Sequence, residues 1–559
     1  MTLSPVETRS APGRPRIALL LAGLDNDYEW LVQRGAGMAA EEHGASLVCL
    51  SGCSLEDPDP ARAAQQFLFD LIAPSAVDAV LVISGPVGKY IGPTRMGSWL
   101  RRYAVPVCSI GPADGVNQVL VHDAAGTTEL VQHLVAEHGY RRIAYIAGPP
   151  ASAEAQGRLA AYEAALARAG LANDPRLVLP GDFTRPGGAR AVRILFDERQ
   201  IAASDVDAIV AANDYMAAGA IEELVHRGVT VPDRIAVVGF DDVDDAASSS
   251  PPLTTVRQPM EQLGHQGVRI VLDLLEKRSP EAVCRLDTEL VLRRSCGCTP
   301  TEAPPSPKKE MHGLGGAARR VASLWERSYS KQLGDALLLE ATGKFGALER
   351  VLEPFLQRLT HAGADLMTVQ RLLTTLRAEA LTVVRELDSR ERMEDAVHRA
   401  RVLVSRLVAG ASLSREAALS VRLHEAARAL TARMFGPPAG LSTALVSQLP
   451  ALGVDECAVS QLVPGDSRTL ELVFGFHHAD VQPKSTRFPA RDLAPAEFES
   501  FHQSSVFALP LTYADESLGV AVLSWSPEHR AFYEGLRDLL GVILKGALLA
   551  RKVHHSQSA

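Results

Sequence analysis

The first half of the chain is predicted to be a doubly wound α/β domain, followed by an α-helical region and a small α+β module. Three observations carry this reading. From Ile17 to about Arg294 short β-branched runs alternate with helical stretches, as repeated β–α units do. Each run is almost continuously hydrophobic, as in a parallel sheet covered on both faces. After a Pro-, Gly- and Lys-rich linker at 299–316, strand signals vanish until about residue 439.

The strand candidates, in order, are "RIALLLAG", "ASLVCLSG", "VDAVLVIS", "VPVCSIG", "RRIAYIAG", "VDAIVAAN" and "RIAVVGFD". Between them, "EWLVQRGAGMAAEEHG" ends on a glycine, and "SAEAQGRLAAYEAALARAG" runs from a capping Ser152 to a terminating Gly170. Sheets of this kind bind ligands where loops leave the carboxyl ends of the strands. Functional residues are therefore expected just after each strand. Residues 317–435 are rich in Ala, Leu, Arg and Glu, and Leu419, Leu423, Ala426, Leu430 and Met434 line one helix face. "GPPAG" breaks that pattern. The strands "DECAVSQLV", "LELVFGF", "SSVFALPLTY" and "SLGVAVLSWS" follow, the last two flanking the turn "ADE" as a hairpin, and a final apolar helix.

At 559 residues the chain is long enough for about three or four domains. Its 47% hydrophobic and 22% charged content is that of an ordinary globular protein. A net charge of -9 excludes an overall basic field for nonspecific nucleic-acid binding. Residues 1–16 are polar, read as disordered and lack the apolar centre of a secretory signal. No segment reaches the roughly 20 apolar residues of a membrane span. Seven scattered cysteines do not read as a disulfide framework. The expected compartment is the cytoplasm, with no membrane partner.

The stretches "VHDAAGTTELVQHLVAEHGYRRIAYIAGPPASAEAQGRLAAYEAALARAG", "VDAIVAANDYMAAGAIEELVHRGVTVPDRIAVVGFDD" and "SSSPPLTTVRQP" resemble the ligand-sensing domain of the lactose- and galactose-repressor family. The resemblance covers most of 17–294 and implies a two-lobed, periplasmic-binding-protein-like domain over 17–298 that closes on a small molecule. It places Arg158 where the family grips ligand hydroxyl or carboxyl groups, and Asn213, Asp214, Asp241 and Gln258 at strand ends. Asp123 matches a frequent family acid near a lobe crossing. After the first strand, Asp25 and Tyr28 are offered by "DNDYEW", which departs from the family's usual loop. The residue types suit a polyhydroxylated ligand, since Arg is a rigid donor fork, Asp accepts paired hydroxyl protons, and Asn or Gln does both. Other readings stay open. Asp214 suits a helix cap, Arg158 suits an ion pair with Glu154, Asp123 suits a structural role, and Asp242, Asp244 and Asp245 read as structural or solvated.

The family's N-terminal DNA-reading helix-turn-helix does not fit in the sixteen residues before Ile17. The last third resembles the GAF-like module of bacterial hybrid regulators, here 436–559, without an output domain after it. "GPVGK" lacks phosphate-loop spacing, "GLGG" lies in the linker, and the pairs His477–His478 and His554–His555 read as surface residues. "RRSCGC" puts Cys296 and Cys298 at the sensor's exit. Zinc takes four ligands, and no companion pair with finger-like spacing is evident, so the motif reads as a boundary. No metal, cofactor or catalytic constellation is expected. The expected protein is a non-enzymatic sugar-sensing regulator, dimeric or handing its signal to a separate output protein, with direct DNA contact disfavoured. Alternatives are a DNA-binding regulator using an unrecognised element in 317–435 and a sugar-transport binding protein.

Overall fold

Strands β1 (Arg16–Leu21), β2 (Ser46–Ser51) and β3 (Ala79–Ile83) are buried at every position, which explains why their sequences show no polar alternation. They pair in parallel with β4 (Val107–Ile110) and β5 (Asn117–Val121) in the order β5-β4-β3-β1-β2, and form the first lobe. The computed structural model describes residues 14–298 apart from 25, 74 and 75, then 332–361, parts of 373–386, 387–434, 438–477, 480–481, 485–498, 500–524 and 530–558. The predicted linker at 299–316 and most of the predicted disordered N-terminus lie outside the described residues.

The second lobe holds a parallel sheet of β6 (Ile143–Ile146), β7 (Val178–Leu179), β8 (Ala208–Ala211) and β9 (Ala236–Val238) in the order β7-β6-β8-β9. Beside it β10 (Thr255–Arg257) pairs antiparallel with β12 (Glu289–Val291), whereas β11 (Val283–Leu286) returns to the first lobe and adds to β5. The chain thus crosses between lobes near 122, 258 and 287. These are the three crossings that the resemblance implies.

The helices follow their sequence signals. In α1 (Asp27–Glu42) the N-cap Asn26 accepts from Glu29 N, and in α3 (Ala153–Arg168) Ser152 accepts from Ala155 N, each satisfying an otherwise orphaned donor. Between them α2 (Asp123–His138) ends on Gly139 in the left-handed region, φ 68°. Among the further helices, α4 (Asp214–His226) packs on β8 and β9 and α5 (Met260–Leu275) on β3, β4 and β5.

Residues 305–424 form a separate compact unit. There α6 (Ala347–His361) packs with α7 (Leu387–Thr431) through Leu348, Leu352 and Phe355 against Met393, Val397 and Val404. Arg399 lies between the Glu340 carboxylate, at 3.0 Å, and the Phe345 ring, 4.1 Å from its centroid. Farther along α7 Ala426 and Leu430 are buried, as the predicted apolar face requires; the Leu419 side chain lies outside the described residues.

The C-terminal segment departs from expectation. After α8 (Pro438–Gln448), β13 (Glu456–Val463), β14 (Asp466–His477), β15 (Asp480–Val481), β16 (Arg487–Pro489), β17 (Val506–Tyr513) and β18 (Glu516–Ser524) form an antiparallel sheet, with the predicted β17–β18 hairpin. The last helix, α9 (Arg530–Ser558), packs on it. This sheet is not separate. β17 lies parallel to β2, with Val506 opposite Val48, Phe507 opposite Cys49 and Ala508 opposite Leu50. Among the described residues a single twelve-stranded sheet therefore runs through the first lobe and the module. Two apolar strand edges that would each attract foreign strands cover one another. Val48, Leu50 and Phe69 share a core with Phe498, Phe501 and Val522. Ser505 Oγ accepts from Leu47 N at 3.1 Å, and Ser517 Oγ donates to Ala64 O at 2.6 Å. The segments predicted as separate domains at 17–298 and 436–559 thus pack in one unit, whose C-terminal part begins at Glu425.

No described helix is long and apolar enough to cross a membrane.

Candidate ligand-binding site

The first-strand loop is fixed by its own polar residues. Asn26 Nδ2 donates to Glu29 Oε2 at 2.8 Å, and Glu29 Oε1 accepts from Ala22 N. The result holds Tyr28, in the first turn of α1, at the carboxyl edge of the first-lobe sheet. Opposite it, Asp123 opens α2 and Glu154 stands in the first turn of α3. Gln258 follows β10 at the second crossing. These four side chains, with Gly111, His122 and Arg285, line a cavity of about 530 Å³. It lies where a doubly wound sheet is expected to bind ligands.

The lobes meet around this cavity. A Cβ on Gly85 would lie 2.8 Å from Glu154 Oε2, and one on Gly111 would lie 3.1 Å from Glu154 Oε1. Both glycines follow first-lobe strands, and their missing side chains admit a second-lobe carboxylate. Across another part of the contact, the Tyr215 hydroxyl lies 3.0 Å from Asp27 N and 3.3 Å from Asp27 Oδ2.

Behind the wall sits a buried ionic layer. Arg158 Nε donates to Asp123 Oδ1 at 2.7 Å and Nη1 to Ala212 O at 2.7 Å; Nη1 is also 3.7 Å from Asp241 Oδ1. The guanidinium lies over Phe240, 3.8 Å from the ring centroid. Gln258 Nε2 donates to Asp241 Oδ1 at 2.6 Å, so the layer reaches the cavity through Gln258 and Asp123. Burial opposes the Arg158 charge, but Asp123, Asp241 and Glu154 outweigh it and hold its pKa above the ordinary value. Burial, then Asp123, pushes the Glu154 carboxyl up to about 7 against the pull of Arg158. Burial likewise raises Asp241, against Arg158 and Gln258. The Tyr28 phenol is raised well above its usual range by burial and then by Glu154 and Asp241, so it faces a ligand as a neutral donor.

The structure sorts the sequence-predicted residues. Tyr28, Asp123 and Gln258 line the cavity; Arg158 and Asp241 stand behind it. Asn213 and Asp214 do not line it. Asn213 is the N-cap of α4, accepting from Met216 N at 3.0 Å. The cap is therefore not Asp214, whose carboxylate is buried and accepts from Thr255 Oγ1 at 2.6 Å and Val243 N at 3.1 Å. Asp25 lies outside the described residues. Asp242 binds the Arg257 and Arg293 guanidinium groups, at 2.7 and 2.6 Å, in the structural role expected of it. Glu154 was legible only as an ion-pair partner of Arg158. It instead faces the cavity, and the strand-end rule applied to the loop after β6 points to it.

The reading of "RRSCGC" also needs correction. Cys296 and Cys298 do have a companion pair: His133 and His138, at the end of α2, lie with them in one cluster. The pair is upstream in sequence, and only the fold brings it to the sensor's exit.

Fold and cleft together define a two-lobed, ligand-binding domain of the periplasmic-binding-protein type. A family model described as a periplasmic binding protein-like domain matches residues 131–296. The HTH-type transcriptional regulator CelR of Thermobifida fusca is 34% identical over 267 residues, 47% of this chain and 74% of that protein. The HTH-type transcriptional repressor CytR of Escherichia coli K12 is 28% identical over 271 residues, 48% and 75% of the two chains. The ribose operon repressor of the same strain is 30% identical over 259 residues, 46% and 74% of the two chains. A solved structure described as a transcriptional regulator CelR–cellobiose complex is 30% identical, with a TM-score of 0.44 over 51% of this chain and 86% of that one. Through its sensor half, the chain belongs to the lactose- and galactose-repressor family of transcriptional regulators.

Proposed function

We propose that the protein is a non-enzymatic regulator that senses a sugar or related polyhydroxylated metabolite between its lobes. The observation that carries this reading is the cavity's polar set. A tyrosine, two carboxyls and a carboxamide converge on about 530 Å³, with Asp123 held from behind by the buried Arg158 and Gln258 by Asp241. Such a set offers paired acceptors and donors to hydroxyl groups and an aromatic face to a pyranose or furanose ring. A ligand that touches both lobes shifts their equilibrium by its differential affinity for the closed form. Because the first lobe shares its sheet with the C-terminal module, closure moves the second lobe relative to both together. The module, GAF-like in our reading, then acts as an extension of the sensor and hands the change to a second copy or to a separate output protein. We place the protein in the cytoplasm, where the named relatives would act on transcription.

A thermal-shift screen of the full chain against mono- and disaccharides and nucleosides tests this. A cognate ligand raises the melting temperature with concentration, and Tyr28→Ala weakens the response at least about tenfold. A ligand whose stabilisation survives both Tyr28→Ala and Gln258→Ala would overturn the cleft assignment.

A further inference from the structure

The last residue of α2 is His138, after which Gly139 turns the chain back so that Tyr140 N donates to Leu134 O at 3.2 Å. This brings His133 and His138 up to the segment that leaves β12. That segment is held in place: Val237 N donates to Ser295 O at 3.0 Å, Thr254 N to Ser295 Oγ at 2.8 Å, and Gly297 N to Arg294 O at 3.0 Å. Gly297 has φ 103°. A Cβ there would lie 3.0 Å from the Tyr140 hydroxyl and 3.3 Å from His138 Nδ1, so a glycine is required between the two cysteines. The Nε2 atoms of His133 and His138 stand 3.3 Å apart, and Cys298 Sγ is 3.4 Å from each. With Cys296 Sγ, all four atoms lie within 4.8 Å of one another.

We propose that His133, His138, Cys296 and Cys298 form a tetrahedral Cys2His2 site for a zinc-class divalent cation. With Zn–S near 2.3 Å and Zn–N near 2.0–2.1 Å, the edges of such a tetrahedron are about 3.3–3.8 Å. The three short contacts among His133, His138 and Cys298 match the N–N and N–S edges. The mixed imidazole and thiolate set suits zinc over calcium or magnesium, which take oxygen ligands. Four protein ligands leave no open position, so the site is structural rather than catalytic. On binding, the two thiols release their protons to solvent and coordinate as thiolates.

The surroundings fit. Thr254 Oγ1 donates to Cys296 Sγ at 3.1 Å. The Tyr140 ring stacks on His138, centroids 5.2 Å apart, and its hydroxyl donates to Cys296 O at 3.1 Å. Partners of this kind orient ligands and tune affinity. Cys296 is fully buried, while the other three ligands are half-buried, which leaves the ion a way in. Bound there, the cation staples the end of the first second-lobe helix to the last residues of the sensor. The chain would then leave the ligand-binding lobes from a fixed point.

Full-length protein purified under reducing conditions and equilibrated with zinc chloride, then desalted, tests the proposal by elemental analysis. The expected result is about one equivalent of zinc per chain. Cobalt chloride in its place should give intense tetrahedral d–d bands and a near-ultraviolet thiolate charge-transfer band. Cys298→Ala and His133→Ala should abolish both signals. Thr254→Val, which leaves all four ligands in place, should weaken zinc affinity about tenfold and guards against loss of signal through misfolding. Absence of stoichiometric zinc from the reduced wild-type chain would overturn the site. So would a cobalt spectrum lacking the thiolate band, or a Cys296–Cys298 disulfide in the reduced preparation.

Discussion

The Arg158 guanidinium donates to Asp123 across 2.7 Å while its flat face lies 3.8 Å from the centre of the Phe240 ring. One side chain thus links α3, the start of α2 and the loop after β9. Removing it leaves the buried Asp241 and the half-buried Asp123 carboxylates without their cation. Arg158→Ala should cost about 3–5 kcal/mol, the usual effect of breaking a buried pair from one side. Arg158→Lys should recover only part, because an ammonium has neither the fork nor the stacking face. Hydrogen exchange of second-lobe amides in increasing urea reads both variants.

Glu154 makes the site pH-sensitive. Its carboxyl is raised from an ordinary 4.5 to about 7, so the folded protein binds a proton that the unfolded chain has released. The stability carried by that proton is present in full below pH 4.5 and is lost as pH rises through about 7. Asp241, also raised by burial, acts in the same direction. Glu154→Gln should flatten the melting temperature between pH 5 and about 8 relative to wild type. A wild-type slope unchanged by the substitution would assign the titration elsewhere.

How much of this was legible in the sequence varies with the range of the interactions. The doubly wound α/β pattern was, because the strands carry their own apolar runs and a helix such as α3 its own cap, Ser152; the division into two lobes came from the family resemblance. Tyr28 was offered by the loop after the first strand, whereas Asp123 and Gln258 came from the resemblance to the repressor family; all three line the cavity. Glu154 also follows a strand end, but the i,i+4 spacing to Arg158 suggested a surface pair. The pairing of β2 with β17 was not legible: it joins residues some 458 apart, and an edge strand buried by a distant partner has the same composition as one buried by a neighbour. The histidines beside Cys296 and Cys298 were missed for a similar reason. Their spacing is finger-like, but about 160 residues separate them from the cysteines.

Asn213 and Asp214 separate a structural role from a binding one. The Asn213 side chain caps α4 and its Nδ2 donates to Phe183 O at 3.1 Å. Asn213→Ala should lower stability by about 1 kcal/mol, as loss of an N-cap does. Because neither residue lines the cavity, affinity for the cognate sugar should stay within about twofold of wild type. Isothermal titration with the ligand found by the thermal screen, beside a melt of the same variant, gives both numbers. A loss of affinity without a loss of stability would return Asn213 to the binding set.

The shared sheet has a mechanical consequence that a single substitution exposes. Ala508 is fully buried and sits opposite Leu50 of β2 on one side and Val522 of β18 on the other. Ala508→Asp places a carboxylate with no partner at that junction, at a cost of about 3 kcal/mol or more. If the first lobe and the module unfold as one cooperative unit, the amides of β1–β3 lose protection together with those of β13 and β18. The change in exchange rate would be roughly a hundredfold, while the second-lobe amides of β6 and β8 move far less. If only the module's amides accelerated, the junction would be a docking contact between separately stable parts. Lobe closure would then have to reach the module by another route.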